Sequence, residues 1–296
     1  MWTARPTLGT LLRPGRPAPD YAAVMSRVAV VGNLARDRID GGPPQAGGCP
    51  FFAALALRLL GREGQIVTRC SDADRPLFNG PVDALGVPVT ILSSEHTSGF
   101  DHFYDGEIRR TKVTAVGDPW APADAAHLDP DVRWVHVAPL LRSDFPPETL
   151  AALASGGRPV SLDAQGLVRE PRIGPLQQNA SFDPAALTAV SVLKLSEEEA
   201  RTVGGGAFGA ATAQSLGVPE ILVTLGSRGE DVWVDGLITH VPTKPVLGVE
   251  TTGAGDAFMV GYAAARVDGA LPVEAAYEAS ALVIRMLRER KRAGSP

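Results

Sequence analysis

The sequence predicts an α/β fold in which a central, mostly parallel sheet is flanked by helices. Three observations carry this expectation. Short β-branched runs alternate with apolar stretches of helical period along most of the chain; the first run, Arg27-Val-Ala-Val-Val-Gly32, opens abruptly as a buried strand; and only two segments, each turning at Asp-Gly, break the rhythm as hairpins.

In chain order, residues 1–25 carry several Pro and Arg and no sustained period, so they read as a disordered N-terminal extension, with the folded domain over 26–296. Met25 is an alternative start, and a mitochondrial transit peptide is the rival for the Arg-containing arm, weakened by its prolines. Strands are expected at 28–32, 65–69, 87–92, 134–137, 159–163, 192–194 and 221–225. Helices are expected at 50–60, 147–154, 197–203, 207–216, 254–267 and 273–290. Residues 98–104 and 107–114 flank Asp105-Gly106 and predict a polar ribbon, either a lid at about 97–114 or a surface hairpin without a role. A second hairpin, 231–234 with 237–241 about Asp235-Gly236, extends the sheet at an antiparallel edge.

At 296 residues, 45% hydrophobic and 21% charged with a mean hydropathy of +0.04, the chain has enough material for one large core and a buried cleft. A net charge of −5 argues against nucleic acid as a partner. The one dense basic run, 288–292, reads as a solvated helix end where cations favour the negative pole of the dipole. Cys49 and Cys70 suit neither a zinc knuckle nor a disulfide framework and read as reduced and buried. No stretch has the length and apolarity of a membrane span and no signal peptide is evident, so the expected setting is the cytoplasm.

The stretch Glu250-Thr-Thr-Gly-Ala-Gly-Asp-Ala-Phe258 enters a helix. Gly253 and Gly255 let the backbone turn tightly and expose successive N–H groups at a helix start, which makes an anion site. Asp256, in the first turn, stands where a carboxylate could take the proton of a hydroxyl attacking phosphorus. The same residues also read as a plain capped helix start with Asp256 favoured by the dipole. Asp37 follows the first strand at the edge where open α/β sheets bind ligands, and also reads as a turn cap. Gly204-Gly-Gly-Ala-Phe-Gly209 matches Gly-x-Gly-x-x-Gly but follows a helix, so it is a loop; no P-loop and no Gly-x-Ser-x-Gly elbow occurs. The five histidines lack metal-ligand spacing and are assigned to surface or hairpin positions.

Thr251-Thr-Gly-Ala-Gly-Asp-Ala-Phe258 resembles the C-terminal signature of the ribokinase-like, or PfkB, carbohydrate kinases. Gly47-Gly48, Lys194-Leu-Ser-Glu-Glu-Glu199 and Val223-Thr-Leu-Gly-Ser-Arg-Gly229 resemble three further landmarks in the family's order, so the resemblance covers nearly all of 26–285. It implies a three-layer ribokinase-like fold with a small β-hairpin lid. The function it implies is ATP-dependent, Mg2+-requiring phosphorylation of a hydroxyl on a small sugar or polyol of carbohydrate or inositol kinase type. It implies Asp256 as base and the amides of Gly253, Ala254 and Gly255 as the hole for the transferred phosphate. Asp37, Gly47 and Gly48 would bind the substrate. Lys194, Ser196, Thr224, Gly226, Gly229 and Thr252 would hold the nucleotide, and Glu199 would organise water around Mg2+.

Asp101, His102 and Arg109 could reach the pocket from the lid, which could also mediate a homodimer. Where the family usually has Asp and Asn, this chain has Glu250 and Ser196, and it ends without the family's cation-site loop, so a monovalent-cation site is expected to be degenerate or absent. A nucleoside kinase, with a purine stacked on Phe51, Phe52 or Phe103, and a non-catalytic sugar-binding protein of the same fold are the alternatives.

Overall fold

A computed structural model describes residues 27–105 and 108–292. The extension expected at 1–25 and Gly106 of the first hairpin turn lie outside the described residues. The chain runs β1 (Arg27–Asn33), β2 (Ala35–Ile39), β3 (Gln45–Gly47), α1 (Cys49–Leu60), β4 (Gly64–Ser71), α2 (Arg75–Asp83), β5 (Val89–Ser94), β6 (Ser98–Asp105), β7 (Ile108–Ala115) and β8 (Val132–Ala138). It continues with α3 (Pro147–Leu153), β9 (Val160–Asp163), α4 (Gln165–Val168), β10 (Gly174–Pro175), β11 (Val192–Ser196), α5 (Glu197–Val203), α6 (Ala210–Leu216) and β12 (Glu220–Thr224). β13 (Glu230–Val234), β14 (Leu237–Val241), α7 (Ala254–Val267) and α8 (Pro272–Arg292) complete it.

Nine strands form the central sheet in the order β14-β13-β12-β11-β9-β8-β1-β4-β5. The seven from β12 to β5 are parallel, and β13 and β14 add the antiparallel edge expected from Asp235-Gly236. Successive residues of a strand face opposite sides, and both sides are buried here. Val28 and Val30 pack with α1, α7 and α8, while Ala29 and Val31 join the cluster of α3, α4 and α5 through Leu150, Leu167 and Ala200. That gives three layers. Cys49 and Cys70 are buried free thiols, and no described helix is long and apolar enough to cross a membrane.

The lid is larger than a hairpin. β6 and β7 pair as the sequence suggests, but they belong to a second, five-stranded sheet, β10-β7-β6-β2-β3, in which β2 runs parallel to β6. The signal for β2 is hidden because Ala-Arg-Asp-Arg-Ile has two Arg and an Asp among five residues, and β3 and β10 have three residues and two. α2 was likewise hidden, since Gly80 and Pro81 inside it are helix breakers.

Two local assignments are corrected. His136 is fully buried on the central strand β8, with Nδ1 3.1 Å from Ser161 Oγ across the sheet, and is no surface residue. The basic end of α8 is not simply solvated: Arg290 and Lys291 donate to backbone carbonyls of the loop before α7.

Candidate active site

The parallel strands deliver their C-terminal ends to one edge, and the lid sheet stands over it. Asp37 comes from β2 just beyond β1, Asp163 ends β9, Lys194 and Ser196 end β11, and Thr224 ends β12. Two contiguous hollows of about 490 and 520 Å3 lie between edge and lid. Asp37, Gly48, His102, Arg109 and Asp256 line both, so the two acids singled out from the sequence share one space. A third hollow of about 240 Å3 lies behind α7, between Thr224, Gly226 and Gly229 on one side and Phe258, Val283, Ile284 and Leu287 on the other. Gly255 lines this hollow as well as the lid-side space, which makes the start of α7 the partition between them.

The partition is built by glycine. Gly253 caps α7 at φ 80°, and a methyl there would overlap the Phe52 ring, so both the backbone and the neighbouring ring require glycine. The turn into the helix is closed by the Ala254 N–H donating to Thr251 O at 3.0 Å. The Ala254 amide, one of the three expected at an anion hole, is therefore engaged within the turn. A methyl on Gly255 would sit 3.1 Å from Lys194 Nζ, which places the ammonium against the same helix start.

Lys194, 6% exposed, donates to Asp163 Oδ2 at 3.0 Å. Burial opposes charge on both, but each opposite charge outweighs it. Asp163 is held below the usual carboxylate range, and Lys194 is pushed above the usual lysine value by Asp163 and Glu199. Asp256 is pushed up, first by desolvation and then by Asp163, against the Cys49 thiol, Lys194 and Arg169, which favour its ionised form. A raised carboxylate in the first turn of a helix, facing a cavity, suits a group that accepts and releases a proton.

On β2, Asp37 Oδ2 stands 3.8 Å from His102 Nε2, and Asp37 Oδ1 is buried without a partner among the described residues. A methyl on Gly47 would overlap the Asp37 carboxylate, so Gly47 is bare to admit that side chain as well as to line the cavity. His102 Nδ1 is 3.0 Å from Thr111 Oγ1, which ties the ring to β7. Phe100, His102 and Tyr104 alternate along β6 toward the cavity, which turns Asp101 and Phe103 to the other face. Asp101 therefore does not join the lining, and Phe103 is not placed to stack on a substrate.

Ser196 and Glu199 form a capping box: the Ser196 N–H donates to Glu199 Oε2 at 2.7 Å and the Glu199 N–H to Ser196 Oγ at 3.3 Å. Both still line the lid-side space together with Lys194. Thr224, Gly226 and Gly229 line the hollow behind α7, whereas Thr252 lines the lid side and its neighbour Thr251 lines both. Sequence reasoning missed Asp163, Gln165 and Arg169. They sit in a stretch without a motif, and only its position at a parallel strand's C-terminal end marks it.

A three-layer α/β unit, a β-sheet lid over the strand ends and a glycine-built helix start facing a half-buried acid together define a ribokinase-like fold. Residues 135–285 match the model of the pfkB family carbohydrate kinases. The chain is 32% identical over 234 residues to an Escherichia coli fructokinase, covering 74% of this chain and 76% of that one. The chain belongs to the PfkB carbohydrate kinase family. It is also 31% identical over 196 residues to a Zea mays inositol 3-kinase, a match over 64% of this chain that spans about half (48%) of the maize protein. Among solved structures it is similar to a pyrophosphate-dependent kinase in the ribokinase family complexed with a pyrophosphate analog and myo-inositol. There the TM-score is 0.75 at 24% identity, over 88% of this chain and 95% of that one.

Proposed function

We propose that this chain is a phosphotransferase that moves the terminal phosphoryl group of ATP to a hydroxyl of a small sugar or polyol, with the cytoplasm as its setting. One observation carries the reading: Asp37 and Asp256 line one cavity, and the start of α7 separates it from a second hollow. Asp37, with an oxygen free of partners among the described residues, would accept hydrogen bonds from the substrate's hydroxyls. Asp256 would take the proton of the attacking hydroxyl as its oxygen bonds to phosphorus and the bond to the departing ADP oxygen breaks. The amides of Gly253 and Gly255, with Lys194, would stabilise charge on the transferred group.

The apolar wall of Val246, Phe258, Val283, Ile284 and Leu287 suits a nucleobase. Mg2+, where bound, neutralises phosphate oxygens. Among the described residues no cluster of three or more metal-ligating side chains exists. The single carboxylate of Glu199, one oxygen of which is spent on Ser196, therefore suits a metal held through water and phosphate rather than a protein cage.

The names of the relatives point to fructose and inositol as first substrates to try. A nucleoside is the second reading, favoured by Phe51 and Phe52 in the acceptor-side lining. A homodimer through the lid belongs to the proposal, with Phe103, 44% exposed, on the sheet's outer face. Sedimentation tests that part. ADP release measured over a panel of sugars, inositols and nucleosides, with pyrophosphate as rival donor, tests the rest. Turnover with a neutral polyol is expected; binding without turnover on any acceptor and donor would leave the non-catalytic sugar-binding protein as the better account.

A further inference from the structure

The last turn of α8 ends in Arg290, Lys291 and Arg292. Arg290 Nη1 lies 2.7 Å from the backbone oxygen of Glu250, 3.0 Å from that of Thr252 and 3.3 Å from Glu250 Oε2. A guanidinium terminal nitrogen carries two hydrogens. Three oxygens thus gather about one nitrogen that has hydrogens for two, and the third is held by charge. Two carbonyls and a carboxylate converging on a point resemble the oxygen donor set of a hard cation, and here the chain fills that point with its own cation.

The surroundings are built to match. The Arg290 side chain is 15% exposed, and its guanidinium carbon stands 6.0 Å from the centre of the Phe52 ring. That ring is the one against which Gly253 packs. Glu250 Oε1 accepts the Thr252 N–H at 2.8 Å while its Oε2 faces Arg290, so the carboxylate links the turn to the end of α8. One residue later the anion-site glycines begin. Lys291 Nζ pins the preceding stretch by donating to Leu247 O at 2.7 Å.

We propose that Arg290 is a built-in cation that shapes the 250–252 turn, so that the start of α7 is held ready for an anion without a bound monovalent cation. Arg290 lines neither the lid-side space nor the hollow behind α7, so it is a positioning residue. Its consequence for turnover rests on the kinase reading above; its consequence for the order of the turn does not.

The test is amide hydrogen exchange at Thr252, Ala254 and Ala257 in the full chain, for wild type, R290K and R290A, with and without added potassium or guanidinium. Wild type should be protected at these amides and indifferent to both cations. R290A should exchange about tenfold faster or more, the scale of one lost charge-assisted hydrogen bond, and either cation should restore protection; R290K should fall between. Wild-type protection that rises with potassium overturns the proposal and needs no variant. So does R290A exchange equal to wild type, or a loss that neither cation repairs, which would reduce Arg290 to packing. Phosphotransfer is followed in the same samples: R290A turnover should fall and recover with potassium. No turnover in any sample, wild type included, counts against the kinase reading and leaves the exchange result standing.

Discussion

Lys194 Nζ stands 3.0 Å from Asp163 Oδ2 and 3.1 Å from the point where Gly255 would carry a Cβ. One buried ammonium is therefore neutralised on one side and open toward the start of α7 on the other. Asp163 offsets the cost of burying the lysine, and the lysine brings positive charge to the partition between the two cavities. The absent side chain at position 255 is what lets the two meet.

Removing one partner of this pair should be far worse for stability than removing both. Lys194→Met leaves Asp163, 1% exposed, as a buried unpaired carboxylate and should cost about 3–5 kcal/mol. The double variant Lys194→Met/Asp163→Leu should recover most of that loss while remaining inactive. Urea midpoints of both single variants and the double variant, together with a turnover assay, check this; a double variant that loses the sum of the two single losses would show that the pair is not coupled.

Asp256 should set the acid side of the activity profile. Burial and Asp163 raise it above the ordinary aspartate value, so activity should rise with pH as it ionises, and level off above. Arg169 favours the ionised form, so Arg169→Gln should move that limb to higher pH. Asp256→Asn should cost about two orders of magnitude or more in turnover with little effect on melting temperature. An unshifted limb in Arg169→Gln, or full activity in Asp256→Asn, would remove Asp256 from the role.

The parts of this site that were legible in the sequence are those whose local chemistry is self-contained. A glycine-flanked helix start and an acid after the first strand announce themselves through short-range rules, as did the alternation that gives the central sheet. What stayed hidden depends on tertiary neighbours. Ala35-Arg-Asp-Arg-Ile39 becomes a strand only because β6 lies beside it, and Gly47 looks like a place for a substrate until Asp37 is seen folded over it. The basic end of α8 looks like a solvated helix end until the carbonyls of the 247–252 loop are brought against it.

That fold-over gives a prediction for the acceptor side. Gly47→Ala would push the Asp37 carboxylate from its place, and Asp37→Asn would keep its shape but remove its charge. Both should raise the acceptor KM, by about tenfold for the loss of a charged hydrogen bond, with a smaller change in turnover because neither residue contacts the phosphoryl site. Glycerol or another small polyol binding equally to wild type and both variants would place the acceptor elsewhere.

The pH dependence of stability should reveal a carboxyl in the hollow behind α7. Glu230 is 3% exposed, and the Ser280 hydroxyl lies 2.8 and 2.9 Å from its two oxygens; burial pushes its pKa up to about 7, against the hydrogen bond from Ser280. Between the ordinary glutamate value and about 7 the folded protein keeps a proton that the unfolded chain has released, so stability falls as pH rises through that window. His136 acts on the same range with the opposite sign. Burial holds it near 4, so the unfolded chain takes up a proton below 6.5 that the folded protein refuses, and stability falls as pH drops from 6.5 toward 4. Glu230→Gln deletes only the first effect and keeps an amide oxygen for Ser280. Its stability relative to wild type should therefore improve from pH 5 to pH 8 by no more than about 3 kcal/mol, read from urea midpoints at the two values. Parallel pH curves for variant and wild type would mean that Glu230 is ionised in the folded protein at neutrality, with a donor beyond Ser280 supplying the stabilisation.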